Sequence, residues 1–160
     1  MDGIEAPAAE EAVDYDAEVA ALRARQNFAL AVPVGIGAAV VGAALWAGFV
    51  YVTNYELGLI AIAVGALVGL AIRAVGHGVD MKFGILGAAC AAFGWALGLV
   101  LCDVAFLAKE AGQPFLDVLG RLGVGNSVSL AIEAADPMEL LFLAIAVYEG
   151  YRFSFRHRLA

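Results

Sequence analysis

The residues of this chain that could do chemistry are a few charged side chains at the edges of long apolar segments. Arg73, Glu149 and Arg152 each lie near the end of such a segment. A charge close to the hydrocarbon core of a membrane is costly and needs a partner. We expect Arg73 and Glu149 to pair as a clamp between two helices, with Arg152 sharing Glu149 at i, i+3 spacing. The alternatives are a proton- or ion-handling carboxylate and arginines that extend to the membrane surface.

A second group of oxygen-bearing side chains falls at the opposite ends of the apolar segments. Its members are Asn54, Glu56, Asp103 and Glu139. Carboxylate and amide oxygens are the ligands that hard cations prefer. Because these residues come from separate segments, we expect a solvated acidic rim, and a cation site is the alternative.

Other residues with reactive types have spacings that argue against a reaction centre. Cys90 and Cys102 are expected on one helix, about 18 Å apart, which is too far for a disulfide within the chain. Gly35-x-Gly37 lies inside an apolar segment, so it is not a phosphate-binding loop. His77 and His157 have no metal-ligand spacing. The sequence therefore predicts no catalytic residue, no cofactor site and no metal site.

The elements that carry these residues are long apolar helices. The chain is 63% hydrophobic, well above the share of about half in soluble domains. A helix needs roughly 20 mostly apolar residues to cross a bilayer, and uncharged stretches cover residues 28–52, 57–72 and 83–102, with a shorter one at 140–148. The sequence predicts an all-α integral membrane bundle of four transmembrane helices, with spans at about 27–51, 56–75, 83–105 and 137–154.

The remaining segments are polar or irregular. Residues 1–26 form an acidic tail that we expect to be partly disordered or helical, and residues 156–160 form a basic tail. Residues 109–137 are the long connection, and Asp136-Pro137 fit the N-cap and N1 positions of the last helix. Within this connection, four apolar residues share one helical face and predict a short interfacial helix: Phe115, Leu116, Leu119 and Leu122. Packing of that segment on the end of the bundle is the alternative.

The distribution of positive charge predicts the orientation. One side of the membrane collects Arg23, Arg25, Arg73, Lys82, Arg152, Arg156 and Arg158, and the other side collects Lys109 and Arg121. The positive-inside rule then puts both termini in the cytoplasm and residues 109–137 outside.

Small residues recur at four-residue spacing along three spans. These rows are Gly35, Ala39 and Ala43 in the first span, Gly65 and Gly69 in the second, and Gly94 and Gly98 in the third. Such rows let helix backbones approach closely in lipid. We expect them to pack inside one bundle, and a surface for oligomers is the alternative.

The segment Thr53-Asn54-Tyr55-Glu56-Leu57-Gly58, with the glycines and Arg73 that follow it, resembles the turn that opens a glycine-rich span in small uncharacterised bacterial membrane proteins. The segments 138–142 and 146–151 resemble the closing helix of the same proteins. The resemblance covers about a third of the chain. It implies four spans and a bacterial inner (plasma) membrane, and it brings no activity with it.

These observations favour a non-enzymatic membrane protein. We expect an accessory or structural subunit of a membrane complex, or a component that associates with itself. A small oligomeric transporter or channel is the alternative, although the middle of every predicted span is apolar. The expected partners are the lipid bilayer and other membrane subunits or further copies of the chain. We expect no nucleic-acid partner, because binding one needs a clustered basic face and the sequence has none.

Overall fold

The fold is all helical, as the sequence predicts. The computed structural model describes residues 6–55, 57–134 and 136–156, and every regular element in these ranges is a helix. In chain order they are α1 (Ala6–Ala24), α2 (Phe28–Thr53), α3 (Leu59–Gly76), α4 (Met81–Glu110), α5 (Phe115–Ala134) and α6 (Pro137–Phe153). The expectations for Glu56, for residues 1–5 and for the tail after residue 156 lie outside the described residues.

Local side-chain chemistry sets the ends of the long helices. Asn27 caps α2, because its side chain accepts a hydrogen bond of 2.9 Å from the backbone N–H of Leu30. Asn54 ends α2 in the left-handed conformation, with φ 57°. Asp136 begins α6 through a capping box with Glu139, and Pro137 follows it in the first turn. The predicted start of the last helix is therefore confirmed.

Four helices form the bundle, with α4 at its centre. α4 packs against α2, α3 and α6, and α3 also packs against α2 and α6. α2 and α6 thus lie on opposite sides of the α3–α4 pair. The residues of α3 and α6 that face each other rise together along the two helices, so α3 and α6 run parallel. We call the end that holds residues 54–58 and the start of α6 the α2–α3 end, and the end that holds residues 77–80 the α3–α4 end.

α2, α3 and α4 are long and apolar enough to span a membrane, which indicates a membrane-embedded protein. α4 has 30 residues and extends about 45 Å, more than the roughly 30 Å of a hydrocarbon core. It runs to Glu110, past the predicted end at residue 105, so Asp103 lies inside the helix. α6 has 17 residues and extends about 26 Å.

The long connection contains a helix, α5, that breaks at Gly123. Its first half packs on the end of α4, where Val118 is buried against Val104 and Ala108. Of the two arrangements that the sequence left open, this is packing of the segment on the end of the bundle. The predicted apolar face is partly wrong, because Leu116 is 75% exposed and Val118 takes the buried position.

Candidate functional site

The expected clamp between Arg73 and Glu149 does not form. Arg73 and Arg152 are exposed and Glu149 is half-buried, and no ion pair joins them among the side chains that the structure describes. Gly69 is the α3 residue that lies beside the backbone of Glu149 and Gly150. Arg73 is one turn further along α3, about 6 Å past that level. The register of α3 against α6 therefore separates the two charges.

The small-residue rows lie at the helix contacts. A Cβ atom on Gly35 would come within 2.9 Å of Ile72 and 3.1 Å of the Cys90 Sγ, and one on Gly94 within 3.2 Å of the Ala39 Cβ. Ala39 and Ala43 are fully buried. A Cβ atom on Gly98 would come within 2.8 Å of the Trp46 ring.

α6 packs through a small-residue row that the sequence analysis missed. Ala146, Gly150 and Ser154 are spaced four residues apart and are all buried. A Cβ atom on Gly65 would come within 2.8 Å of the Ala146 Cα, and one on Gly150 within 2.6 Å of both the Ala91 Cβ and the Gly87 carbonyl oxygen. The row was hidden because Glu149 and Arg152 stand between its members, although its spacing alone is a signal.

The α3–α4 end holds a polar junction that was also missed. Asp80 accepts hydrogen bonds from Arg23 Nε at 3.1 Å and Gln26 Nε2 at 2.9 Å, and Lys82 Nζ lies 3.5 Å away. The Gln26 side chain holds the pKa of Asp80 below its usual value, and the Arg23 guanidinium lowers that pKa further. This junction binds the last turn of α1 to the start of α4.

The tail after α6 returns to the same end of the bundle. The backbone N–H of Arg156 donates to the Gly78 carbonyl at 2.8 Å, and the Arg156 guanidinium contacts His77 Nδ1. A cavity of about 470 Å³ opens here, lined by Leu22, Arg25, His77, Val79 and Arg156. Positive and titratable side chains therefore dominate its polar lining.

The α2–α3 end holds the second cavity, of about 230 Å³. Its lining residues are Trp46, Gly58, Trp95, Leu99, Asp136, Met138, Glu139 and Phe142. Glu139 is thus drawn into a cavity with two indole rings. Asp103 does not line it but acts electrostatically on Glu139. Asn54 is an exposed helix cap, so the structure gathers only part of the expected acidic rim.

Three further features bear on metal or cofactor chemistry. Within the described ranges, no group of three or more His, Cys, Asp or Glu residues is arranged to hold a metal ion. Cys90 and Cys102 are both buried in α4. Gly35 and Gly37 lie inside α2, so this pair belongs to a helix and not to a loop.

The chain matches no family model, no curated protein and no solved structure. The resemblance to small bacterial membrane proteins therefore stays a prediction. The surfaces and cavities of the bundle are the remaining indications of the function of this chain.

Proposed function

We propose that this protein is a non-enzymatic, multi-pass component of a bacterial inner membrane that works by binding another membrane-spanning helix. That helix belongs either to a larger complex, in which this chain is an accessory subunit, or to a second copy. The single observation that carries the proposal is the outward face of α2.

Glycine serves two different purposes on the two faces of α2. Gly35 and Gly42 face the bundle, where a Cβ atom would come within 2.9 Å of Ile72 or Val64. Gly37 and Gly48 face outward, and a Cβ atom on either would have no atom of the described residues within 4 Å. Exposed glycine weakens a helix by roughly 1 kcal/mol relative to alanine. In lipid, small residues on a helix surface are typical of contacts with another helix.

The surroundings of these glycines support the same proposal. Gly37, Val41, Ala44 and Gly48 follow one another along one side of α2 and are all exposed. At the α2–α3 end this side opens into an apolar groove of about 290 Å³, lined in part by Tyr51, Leu101 and Phe115. A row of small residues beside an apolar groove provides room for a helix to approach closely.

We propose α6 as the fourth span. It packs against both α3 and α4, and the buried row of Ala146, Gly150 and Ser154 covers its second half and its C-cap. A helix in such close contact with two membrane helices lies at the same depth as they do. Tilt and local thinning of the bilayer accommodate its length of about 26 Å.

The proposed orientation has both termini in the cytoplasm. Arg23, Lys82 and Arg156 all contact the connection between α3 and α4 or its flanks, so these positive charges share one end. Lys109 contacts the Tyr51 carbonyl near the other end. The positive-inside rule assigns the more basic end to the cytoplasm.

Site-directed photo-crosslinking in native membranes tests the docking face. A photo-reactive side chain at Val41 should give a crosslinked product of higher mass. The matched control is Leu70 on α3, because the two side chains are 54% and 49% exposed. Products from Leu70 but not from Val41 would contradict the proposal, and mass spectrometry of the product separates a second copy from a different subunit.

A further inference from the structure

The cavity at the α2–α3 end has aromatic walls and an acidic mouth. Trp46, Trp95 and Phe142 supply the rings, and Asp136 and Glu139 begin α6 at its edge. A Cβ atom on Gly58 would come within 3.0 Å of the Phe142 ring. Glycine at this position therefore leaves room for the Phe142 ring.

Trp46 is the most deeply buried of these three rings. It is 1% exposed, and its Nε1 has no hydrogen-bond partner among the described residues. The Cε3 and Cζ3 edge of the indole packs on Gly98, so the Nε1 edge faces the other way. Buried donors are nearly always paired in folded proteins, and this N–H is an exception within the described residues.

The two carboxylates keep one oxygen each for a ligand. Asp136 Oδ1 accepts from the Glu139 backbone at 2.9 Å, and Glu139 Oε2 accepts from the Asp136 backbone at 3.2 Å. No cation among the described residues forms an ion pair with either group. Lys109 and Arg121, which lie in α4 and α5, bind Tyr51 and Gln113 instead. The cavity mouth is therefore negative.

We propose that this cavity binds an alkylammonium group, as in choline or ethanolamine, either free or as a lipid headgroup. Indole and phenyl faces attract organic cations, and the carboxylates of Asp136 and Glu139 supply the opposite charge. Rings offer none of the oxygen ligands that Mg²⁺ or Ca²⁺ prefers, and this favours an organic cation over a metal ion.

Tryptophan fluorescence tests the proposal directly, because the chain has two tryptophans and both line the cavity. The full chain is placed in discs of phosphatidylglycerol, a lipid without an amine, and titrated with choline or ethanolamine. Saturable changes in emission are expected. The neutral analogue of choline, in which carbon replaces the nitrogen, should cause none at the same concentrations.

Glu139→Gln isolates the role of charge. Glutamine keeps the side-chain volume and also fits the third position of a capping box, so α6 should start normally. The dissociation constant should rise about tenfold or more.

A second arm distinguishes the two sources of the group. Phosphatidylethanolamine or phosphatidylcholine is mixed into the discs in place of the free amines. A change in emission with these lipids alone identifies a headgroup, and a change with the free amines identifies a soluble ligand. Unchanged emission in both arms, an equal response to the neutral analogue, or unaltered affinity in Glu139→Gln would each overturn the proposal.

Discussion

Asp80 is the residue on which the polar junction at the α3–α4 end depends. Its carboxylate accepts hydrogen bonds from Arg23 and Gln26 and forms an ion pair with Lys82. No sequence pattern predicts a contact between Asp80 and residues as distant along the chain as Arg23 and Gln26. What the sequence does indicate is the position of Asp80 directly before an apolar helix. An acidic residue is expected at such a cap position. The sequence does not show which distant donors bind its carboxylate.

We expect the stability of the junction to depend on pH with a defined sign. The pKa of Asp80 in the folded chain lies below its usual value of 3.8. Its contribution is therefore present above that usual value and is lost as the pH falls through the folded pKa. Because these groups are partly exposed, Asp80→Asn should lower the free energy of unfolding by only about 1 kcal/mol at neutral pH.

Hydrogen exchange of the amides at the end of α1, followed from neutral pH into the acid range, measures this effect. The native chain should lose protection in acid, and Asp80→Asn should be less protected already at neutral pH. Lys82→Gln is the control, because its 3.5 Å contact is the longest of the three. Equal acid sensitivity in Asp80→Asn and the native chain would contradict the assignment.

At the scale of the element, α6 shows which features of a helix its own sequence predicts and which it does not. Its start was predictable from Asp136 and Pro137, since capping is local chemistry. Its docking surface was not, because Ala146, Gly150 and Ser154 are separated by charged residues. The same docking sets the register that keeps Arg73 away from Glu149, and register depends on contacts between backbones that no single helix encodes.

Gly150→Ala should disrupt the contact between α4 and α6. The new methyl group would come within 2.6 Å of the Ala91 Cβ and the Gly87 carbonyl oxygen, and backbone atoms cannot move aside cheaply. We expect a loss of about 1–3 kcal/mol, the usual cost of overpacking, seen as a lower midpoint of thermal unfolding. Gly120→Ala, which has nothing within 4 Å, should be neutral or slightly stabilising. Equal midpoints for the two variants would argue against the close α4–α6 contact.

α5 requires glycine at its break. Gly123 has φ 69° and ψ 162°, a region that is nearly restricted to glycine. Gly123→Ala should therefore cost about 1–3 kcal/mol, whereas Gly125→Ala, with open space around it, should not. Unfolding midpoints in detergent or lipid discs compare the two. The sequence predicted a short helix over the residues before Gly123, and no sequence pattern there fixes a backbone angle.

At the scale of the whole molecule, composition and apolar length predicted an all-helical protein with membrane-spanning segments. The connection between α2 and α3 is short, and the two helices lie side by side. The cavities were not predictable in this way. Trp46, Trp95 and Glu139 come from three different helices, and their meeting depends on how α2, α4 and α6 pack.

The outward face of α2 also exists only at the level of the assembled bundle. In the sequence, Gly35 and Gly37 are neighbours of the same type. In the structure, a Cβ atom on Gly35 would contact Ile72, whereas one on Gly37 would have no atom of the described residues within 4 Å. The outward face of α2 therefore has small residues that make no packing contact with the described residues of the bundle. We propose that another helix packs against them.

The particle mass of the protein in native-lipid discs tests most directly whether another helix binds the outward face of α2. We expect particles that contain more protein than one chain of 16.5 kDa, either as a homo-oligomer or with a stoichiometric partner. A double variant with leucine at Gly37 and Gly48 should shift these particles to a single chain, and Val40→Leu on the same helix should not. Native particles that hold only one chain would contradict the account.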